Sequence, residues 1–485
     1  MTQIAQAASP SAVAATAAAQ NQTRRRRLAI LLLAGLALRL VLFLLGPAWH
    51  PQRALAGDSS RYMLLADTWR QRHRFGLVEE EQFESSPVKP FHALRLARGE
   101  VPPRIDGVLP ELLRTPGYPA LLALVRAAGA PWQAVSLLQV LLSSAAAAIL
   151  FTLVRRWLGS ERAGLVAAAI LALNPADAVA ANLLLTESLY AFMFLGAMAL
   201  LLRGPDLPVR WPRAAAAGAI LGLAALVRPV GLLIGVGVAL WLALTRRRRQ
   251  DLTAAAALMA LSLLPAGLWA AHNARLGAGF QLTNVGTIHM AKTAALMEMR
   301  QAGQTRYPEE FWPHFLGVVD QVRREIRPDE TVDAATQRIV RQRIGRSGGA
   351  YASLMASSAG KFMLDHSAGD LCDLLGRPYR PTGLRDRLLA GHGSWQGLDL
   401  PSLALPAAWT ALNVLLAVLA AVGLVRLMAA GRWAPLLLLA GCMLYFILAT
   451  QYHGMERMRL PVLWAQAAMA GCAFLPRRRA TLVGL

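Results

Sequence analysis

Asp58 is the first residue whose type and setting could do chemistry. It follows Gly57 and opens the run Ser59-Ser60-Arg61-Tyr62-Met63-Leu64-Leu65-Ala66-Asp67-Thr68-Trp69. Tyr62, Leu65, Ala66 and Trp69 recur at helical spacing and form one apolar face, suited to a helix lying in a membrane interface. Asp58 sits one turn before Tyr62 on that side. A carboxylate there either caps the helix, a role Ser59 could share, or points into a polar cavity and is available for catalysis.

Glu187 offers a second acidic group, within Leu185-Thr186-Glu187-Ser188-Leu189 at the head of an apolar stretch. The helix dipole alone favours a carboxylate in a first turn, by about 0.3–1 kcal/mol. The alternative is a carboxylate facing Asp58 across the membrane surface. Arg228 interrupts apolar sequence just before Pro229. An arginine at depth costs at least about 2.5–3.5 kcal/mol on insertion scales, so it must face a cavity, an interface or an anion, unless it snorkels from an outer turn. Arg39, inside the first apolar run, is read as snorkelling or packed. Arg457 and Arg459 stand in Glu456-Arg457-Met458-Arg459-Leu460-Pro461, at the mouth of the last apolar run. Planar guanidinium forks there would bind phosphate; pairing with Glu456 is the alternative. Arg114 opens Arg114-Thr115-Pro116-Gly117-Tyr118-Pro119, a turn into a surface helix over Ala120–Arg126, and its own role stays open.

Several chemistries lack their signatures. The sequence has no Gly-rich loop ending in Lys-Ser/Thr and no His-Glu-x-x-His. Cys372, Cys442 and Cys472 follow no paired spacing, so neither a disulfide framework nor a Cys/His zinc site is written in the chain. Asp370 and Asp373 read as a solvated helix face. His289, His314, His366, His392 and His453 are scattered and read as structural or exposed.

The elements that must position these residues are membrane spans. The chain of 485 residues is 55% hydrophobic and only 16% charged, against about 25% charged in soluble domains. Apolar runs of spanning type occur at Leu28–Gly46, Val135–Leu153, Gly164–Leu183, Leu185–Leu202, Ala214–Val227, Val230–Thr245, Leu252–Ala271, Leu403–Leu424, Trp433–Thr450 and Pro461–Leu475. The pair flanking Arg228-Pro229 is short enough to be one broken helix. The fold class expected is an all-α polytopic membrane protein of about ten spans, with a helical first outer loop and a small, mostly helical second outer domain. Helical spacing is clearest at Arg323–Arg346 and Tyr351–Asp373.

Charge agrees with this map. The net charge of +22 is almost wholly arginine, since Lys89, Lys292 and Lys361 are the lysines. The short connections on one side of the ten-span map hold 19 basic and 3 acidic residues. The two long connections fall on the other side and are nearly balanced: Pro47–Thr115 holds 10 basic and 9 acidic residues, His272–Pro401 16 and 13. The positive-inside rule then places the short loops in the cytoplasm and explains the excess charge without nucleic acid. The expected organisation is a cytoplasmic tail, 1–27, disordered over Met1–Thr23; an N-terminal membrane module, 28–271, with its outer loop 47–115; an outer domain, 272–401; and final spans with a cytoplasmic end, 402–485.

With these residues assembled, the chain resembles the GT-C glycosyltransferases that use polyprenyl-phosphate sugars, in the style of protein O-mannosyltransferases and lipid A aminoarabinose transferases. The features that carry the resemblance run in order along most of the chain. They are Ala37-Leu38-Arg39-Leu40, Gly57-Asp58 with Tyr62, Arg114-Thr115-Pro116-Gly117-Tyr118-Pro119, Leu185-Thr186-Glu187, Arg228-Pro229, His272-Asn273 with Gly279-Phe280, and Arg457-Met458-Arg459-Leu460-Pro461.

The resemblance implies an inverting transfer of a sugar from a polyprenyl monophosphate, such as undecaprenyl phosphate, to a hydroxyl of a lipid, glycan or protein acceptor. It makes Asp58 and Glu187 catalytic, Arg228, Arg457 and Arg459 ligands of the donor phosphate, and Tyr62 and Arg114 substrate contacts. No cofactor is required, a divalent ion is left open, and the setting implied is a bacterial inner membrane with the site facing the periplasm. The alternatives are a flippase of lipid-linked sugars, a ligase using polyprenyl diphosphates and a membrane scaffold.

Overall fold

The computed structural model describes residues 10–78, 89–204, 207–246, 248–304, 309–378, 400–450 and 455–475. The protein is an all-α polytopic membrane protein; the strands described are the short β1 (Gly76–Leu77) and β2 (Leu109–Pro110), paired antiparallel. Among the described residues, five helical stretches are long and apolar enough to cross a bilayer: Gln22–Leu45 within α1 (Pro10–Leu45), α5 (Trp132–Leu158), Pro229–Arg246, α11 (Arg249–Arg275) and Leu403–Ala429 within α17 (Leu400–Ala429). Shorter apolar helices lie at α4 (Gly117–Ala127), α8 (Glu187–Leu201), α9 (Trp211–Val227) and α18 (Trp433–Ala449). Because α1 starts at Pro10, the stretch expected to be disordered before Arg24 is helical from Pro10 onward; residues 1–9 lie outside the described residues.

The chain around Arg228 forms a hairpin rather than one broken helix. α9 ends at Val227, Arg228 is extended (φ −143°, ψ 107°), a 3-10 turn spans Pro229–Gly231, and α10 follows (Ile234–Arg246). Arg246, at the end of α10, donates hydrogen bonds to the carbonyls of Leu207 and Gly204, just before α9. The two helices are therefore antiparallel, and α11 packs against both. Added Cβ atoms at Gly218 and Gly235 would lie 2.4 Å from Leu258 O and 2.3 Å from Ser262.

A second interruption does break an expected span. In place of one helix over Gly164–Leu183, α6 (Glu161–Leu173) gives way at Asn174 to the short α7 (Pro175–Ala180). Pro175 cannot donate to a continuing helix, and Asn174 Oδ1 instead accepts the Asp177 N–H (2.9 Å). Non-helical backbone at membrane depth must be satisfied by protein, and here it is. Ser136 Oγ donates to Asn182 O (3.1 Å), Gln139 Nε2 to Leu183 O (2.6 Å) and Ser59 Oγ to Leu184 O (3.0 Å). The Leu184 N–H donates to Ala54 O (2.8 Å). Arg39 lies in the same region, wholly buried, where it pairs with Asp177 and donates to Ser143 Oγ (2.8 Å). It is an internal ion-pair partner, neither snorkelling nor held by apolar packing alone.

The two long connections share one core. The first contributes α2 (Ser59–Arg72) and α3 (Lys89–Ala97). The second contributes α12 (Val285–Gln301), α13 (Phe311–Glu325), α14 (Val332–Arg346), α15 (Gly348–Leu364) and α16 (Ala368–Leu374). Phe91 and Leu94 of α3 are buried with Phe311, Phe315, Val319 and Ile339 of the second connection. Arg95 pairs with Asp333, and Glu100 accepts the Val332 N–H (3.0 Å).

Three finer expectations change. Arg323–Arg346 is two helices, separated where Pro328 stops the first and Thr331 Oγ1 caps Ala334 N–H (3.2 Å). Tyr351–Asp373 likewise splits between Leu364 and Ala368. The α2 face expected to meet lipid is instead covered by protein, with Leu65 and Ala66 fully buried and Tyr62 edge-on to Tyr118 of α4 at 5.2 Å.

Candidate active site

Asp58 occupies the N-cap position of α2, yet its side chain makes no capping hydrogen bond. Arg114 Nη2 donates to Asp58 Oδ1 instead (2.6 Å). Ser59 is also otherwise engaged: its Oγ accepts from Ala56 N–H (3.0 Å). The carboxylate is thus turned away from its own helix, and 38% of its side chain is exposed, enough for a substrate to reach it.

Arg114 is aimed by Glu111, a residue the sequence did not single out. Buried Glu111 accepts the N–H groups of Leu113 (2.6 Å) and Arg114 (2.9 Å) through Oε1, and through Oε2 binds Arg61 of α2 (2.7 Å). One carboxylate therefore ties the start of α4 to α2. Gly117 then sits directly on α9, where an added Cβ would approach Leu226 C to 2.6 Å. Only glycine permits that contact, which is more than the turn role first given to it.

Glu187, almost fully buried, is the first residue of α8 and follows the pinned segment 181–186. Arg228 Nη1 lies 2.9 Å from Glu187 Oε1, and Arg457 Nε bonds the same oxygen. Arg228 also donates to Thr186 Oγ1 (2.9 Å) and to Met458 Sδ (3.0 Å). Two arginines on one carboxylate oxygen leave positive charge unneutralised.

Gly57 joins the two pairs. Its φ is +52°, a left-handed conformation that L side chains rarely adopt, and a Cβ there would lie 2.8 Å from Arg457 Nη1. The Arg457 guanidinium thus packs on the backbone of the residue preceding Asp58. Asp58, Glu187, Arg114, Arg228 and Arg457 form one cluster, with three positive charges against two negative. Tyr62 borders it.

The charges tune one another. Burial works against ionisation of Asp58, but Arg114 and then Arg457 outweigh it and hold the carboxyl below its ordinary range. Burial pushes the Tyr62 hydroxyl up to about 12, so it stays a proton donor. The Arg457 guanidinium is held charged more firmly than usual by Glu187, despite its burial.

Arg459, expected beside Arg457, is not brought into the cluster. Its guanidinium is wholly buried and pairs with Glu456 (2.8 Å) and Asn413 Oδ1 (2.7 Å). Glu456 in turn accepts from Trp409 Nε1 (3.0 Å), Asn413 Nδ2 (2.9 Å) and Ser367 N–H (2.8 Å). The pairing alternative left open by the sequence is the arrangement observed, because successive residues of the short helix α19 (Glu456–Arg459) diverge around its axis.

Three residues near the cluster were read from sequence as ordinary. Burial pushes the Asp370 carboxyl up, partly opposed by Arg457. On α12, burial and the neighbouring Lys292 and Arg114 lower His289 to about 4, and Lys292 is lowered by burial and by Arg114. Nothing in the local spacing of these residues marks them, since the second connection brings them to the site across distant sequence. Among the described residues, no group of three or more His, Cys, Asp or Glu side chains is placed to hold a metal ion.

Comparison with known proteins gives a partial match. Residues 114–269, about a third of the chain, match the family model described as dolichyl-phosphate-mannose-protein mannosyltransferase. No curated protein sequence matches. Among solved structures, similarity is found to the archaeal oligosaccharyltransferase AglB from Archaeoglobus fulgidus, in complex with an inhibitory peptide and a dolichol-phosphate. The identity is 13%, the TM-score 0.49, and the match covers 94% of this chain and 50% of that one. A second is ArnT from Cupriavidus metallidurans bound to undecaprenyl phosphate, at 15% identity, a TM-score of 0.36, and coverage of 91% and 77%. The chain thus spans half the length of AglB. The family match begins at Arg114 and takes in Glu187 and Arg228, and by it the chain is similar to the GT-C membrane glycosyltransferases, the class its sequence motifs resemble.

Proposed function

We propose that the protein is an inverting glycosyltransferase, moving a sugar from a polyprenyl-monophosphate donor to an acceptor hydroxyl at the periplasmic face of a bacterial inner membrane. The observation that carries this reading is the cluster's composition: a reachable carboxylate, Asp58, beside arginines in excess. The family match over residues 114–269 supports it.

The acceptor oxygen forms its bond to the anomeric carbon as the bond from that carbon to the phosphate oxygen breaks. The acceptor's proton passes to Asp58, and polyprenyl phosphate leaves with the electron pair. A carboxylate held below its usual range is a weak base, so it takes the proton late, once bonding to carbon has acidified the hydroxyl. Arg228 and Arg457 meet the charge that gathers on the leaving phosphate. Glu187 holds both guanidinium groups in place, and Arg114 and Tyr62 border the incoming sugar or acceptor. No nucleotide is needed, since the phosphate ester already carries the activation.

The test incubates purified wild type and Asp58→Asn with radiolabelled polyprenyl-monophosphate sugars and envelope lipid extract, with and without EDTA, scoring both transfer and donor hydrolysis. Turnover by the wild type and its loss in a normally folded Asp58→Asn is the expected result. Wild-type turnover that survives the substitution would remove Asp58 as base. Intact donor binding without turnover would sink the transferase in favour of a flippase.

A further inference from the structure

The end of the bundle opposite the cluster holds a cavity that the proposed transfer does not use. α8 starts at Glu187, in the cluster, and ends at Leu201. At about 1.5 Å per residue its length carries the chain roughly 22 Å away. α9 makes the return, from Trp211 up to Arg228. Between these far ends and the end of α5 lies a cavity of about 410 Å³, lined by Arg156, Arg203, Arg210 and Arg213 together with Leu200 and Leu207.

Four arginines lining one hollow concentrate positive charge that an anion would neutralise. Among the described residues none of the four has an acidic partner. The nearby carboxylate of Asp251 is fully buried at the start of α11, where its Oδ1 accepts the Val209 N–H (3.0 Å). Asp206, in the same connection, lies outside the described residues. Leu207, which lines the cavity, is 57% exposed, and Trp211, next in the chain to the lining Arg210, is 59% exposed. Arginines lining the hollow and exposed apolar side chains beside it match the two halves of a lipid.

We infer that this cavity binds the phosphate of an anionic phospholipid, whose acyl chains lie against Leu207 and Trp211. Basic pockets between spans take anionic headgroups in this way, and arginine forks suit a phosphate better than lysine would. Arg246, which bonds the carbonyls of Gly204 and Leu207, holds the connection that carries the pocket. The inference is independent of the transfer reaction.

The experiment places wild type, Arg210→Gln/Arg213→Gln and a control, Arg24→Gln/Arg25→Gln, in nanodiscs of phosphatidylcholine with phosphatidylglycerol. Native mass spectrometry counts retained phosphatidylglycerol, and thermal melts in pure phosphatidylcholine verify folding. Retention by wild type and control, with a loss of roughly tenfold or more in the pocket variant, is the expected result. Recovery of retention by Arg210→Lys/Arg213→Lys would add to it. An equal loss in both glutamine variants would reduce the effect to general surface charge and overturn the site. Inorganic phosphate or pyrophosphate stabilising the wild type without any preference for phosphatidylglycerol would assign the pocket to a soluble anion and overturn the lipid.

Discussion

Arg457 and Arg459 stand two residues apart and belong to opposite kinds of charge cluster. Around Arg459, Glu456 balances the arginine and itself accepts from Trp409, Asn413 and Ser367. Every partner comes from the chain, and both charges are buried. Around Arg457, the arginines outnumber the carboxylates, one oxygen of Glu187 serves two guanidinium groups, and Asp58 is partly exposed. The first cluster is closed; a substrate could only displace something from it. The second has unused capacity for negative charge and an accessible carboxylate. Ion pairs alone therefore do not mark a site: the imbalance does.

That contrast can be broken most severely at Asp58. Asp58→Asn should lower kcat/KM by about 10²–10⁴-fold while leaving the melting temperature unchanged, and a large drop in melting temperature would make Asp58 structural. In the closed cluster the reverse should hold. Arg459→Ala leaves Glu456 buried and uncompensated, at about 3–5 kcal/mol of stability, read by unfolding in a mild detergent; retained stability would show that the cluster is not closed. Arg457→Lys keeps the charge and loses the fork, so kcat/KM should fall by about 10- to 150-fold, corresponding to roughly 1.5–3 kcal/mol for a charged hydrogen bond, with little change in stability.

The smallest effect sharpens the comparison through pH. Because Asp58 is held below the ordinary carboxylate range, activity should persist as pH falls past about 4 and be lost only when the lowered pKa is crossed. Arg114→Gln removes the main opposing cation, so the acidic limb of the kcat/KM profile should move to higher pH. An unmoved limb would mean that Arg114 does not face Asp58 in solution.

The all-α polytopic class was legible because apolar length is a local signal, carried by a contiguous run. The helix after Asp58 was legible for the same reason. Glu187 and Arg228 were visible as charges in apolar surroundings, but their partnership was not, since Glu187 and Arg228 meet only once α8 and the α9–α10 turn reach the same mouth of the bundle. Arg459 was misplaced because neighbouring arginines look alike in sequence, whereas helical rotation sends them to different partners. Glu111 gave no signal, and Asp370 read as a solvated helix face: an acidic residue in polar sequence is unremarkable until a long-range contact gives it a role. The break at Asn174-Pro175 was written in the sequence, yet the apolar residues on either side masked it.

The segment that follows that break has a consequence for how the chain tolerates change. Ser136 and Gln139 of α5 hold the carbonyls of Asn182 and Leu183, and Ser59 holds that of Leu184. These fasteners come from two separate parts of the chain, α5 and the start of α2, and act immediately upstream of Glu187. A one-residue insertion or deletion between Ala181 and Thr186 would have to unfasten them in concert. The stretch before α8 thus works as a fixed gauge block, whose length should not vary where the cluster is kept.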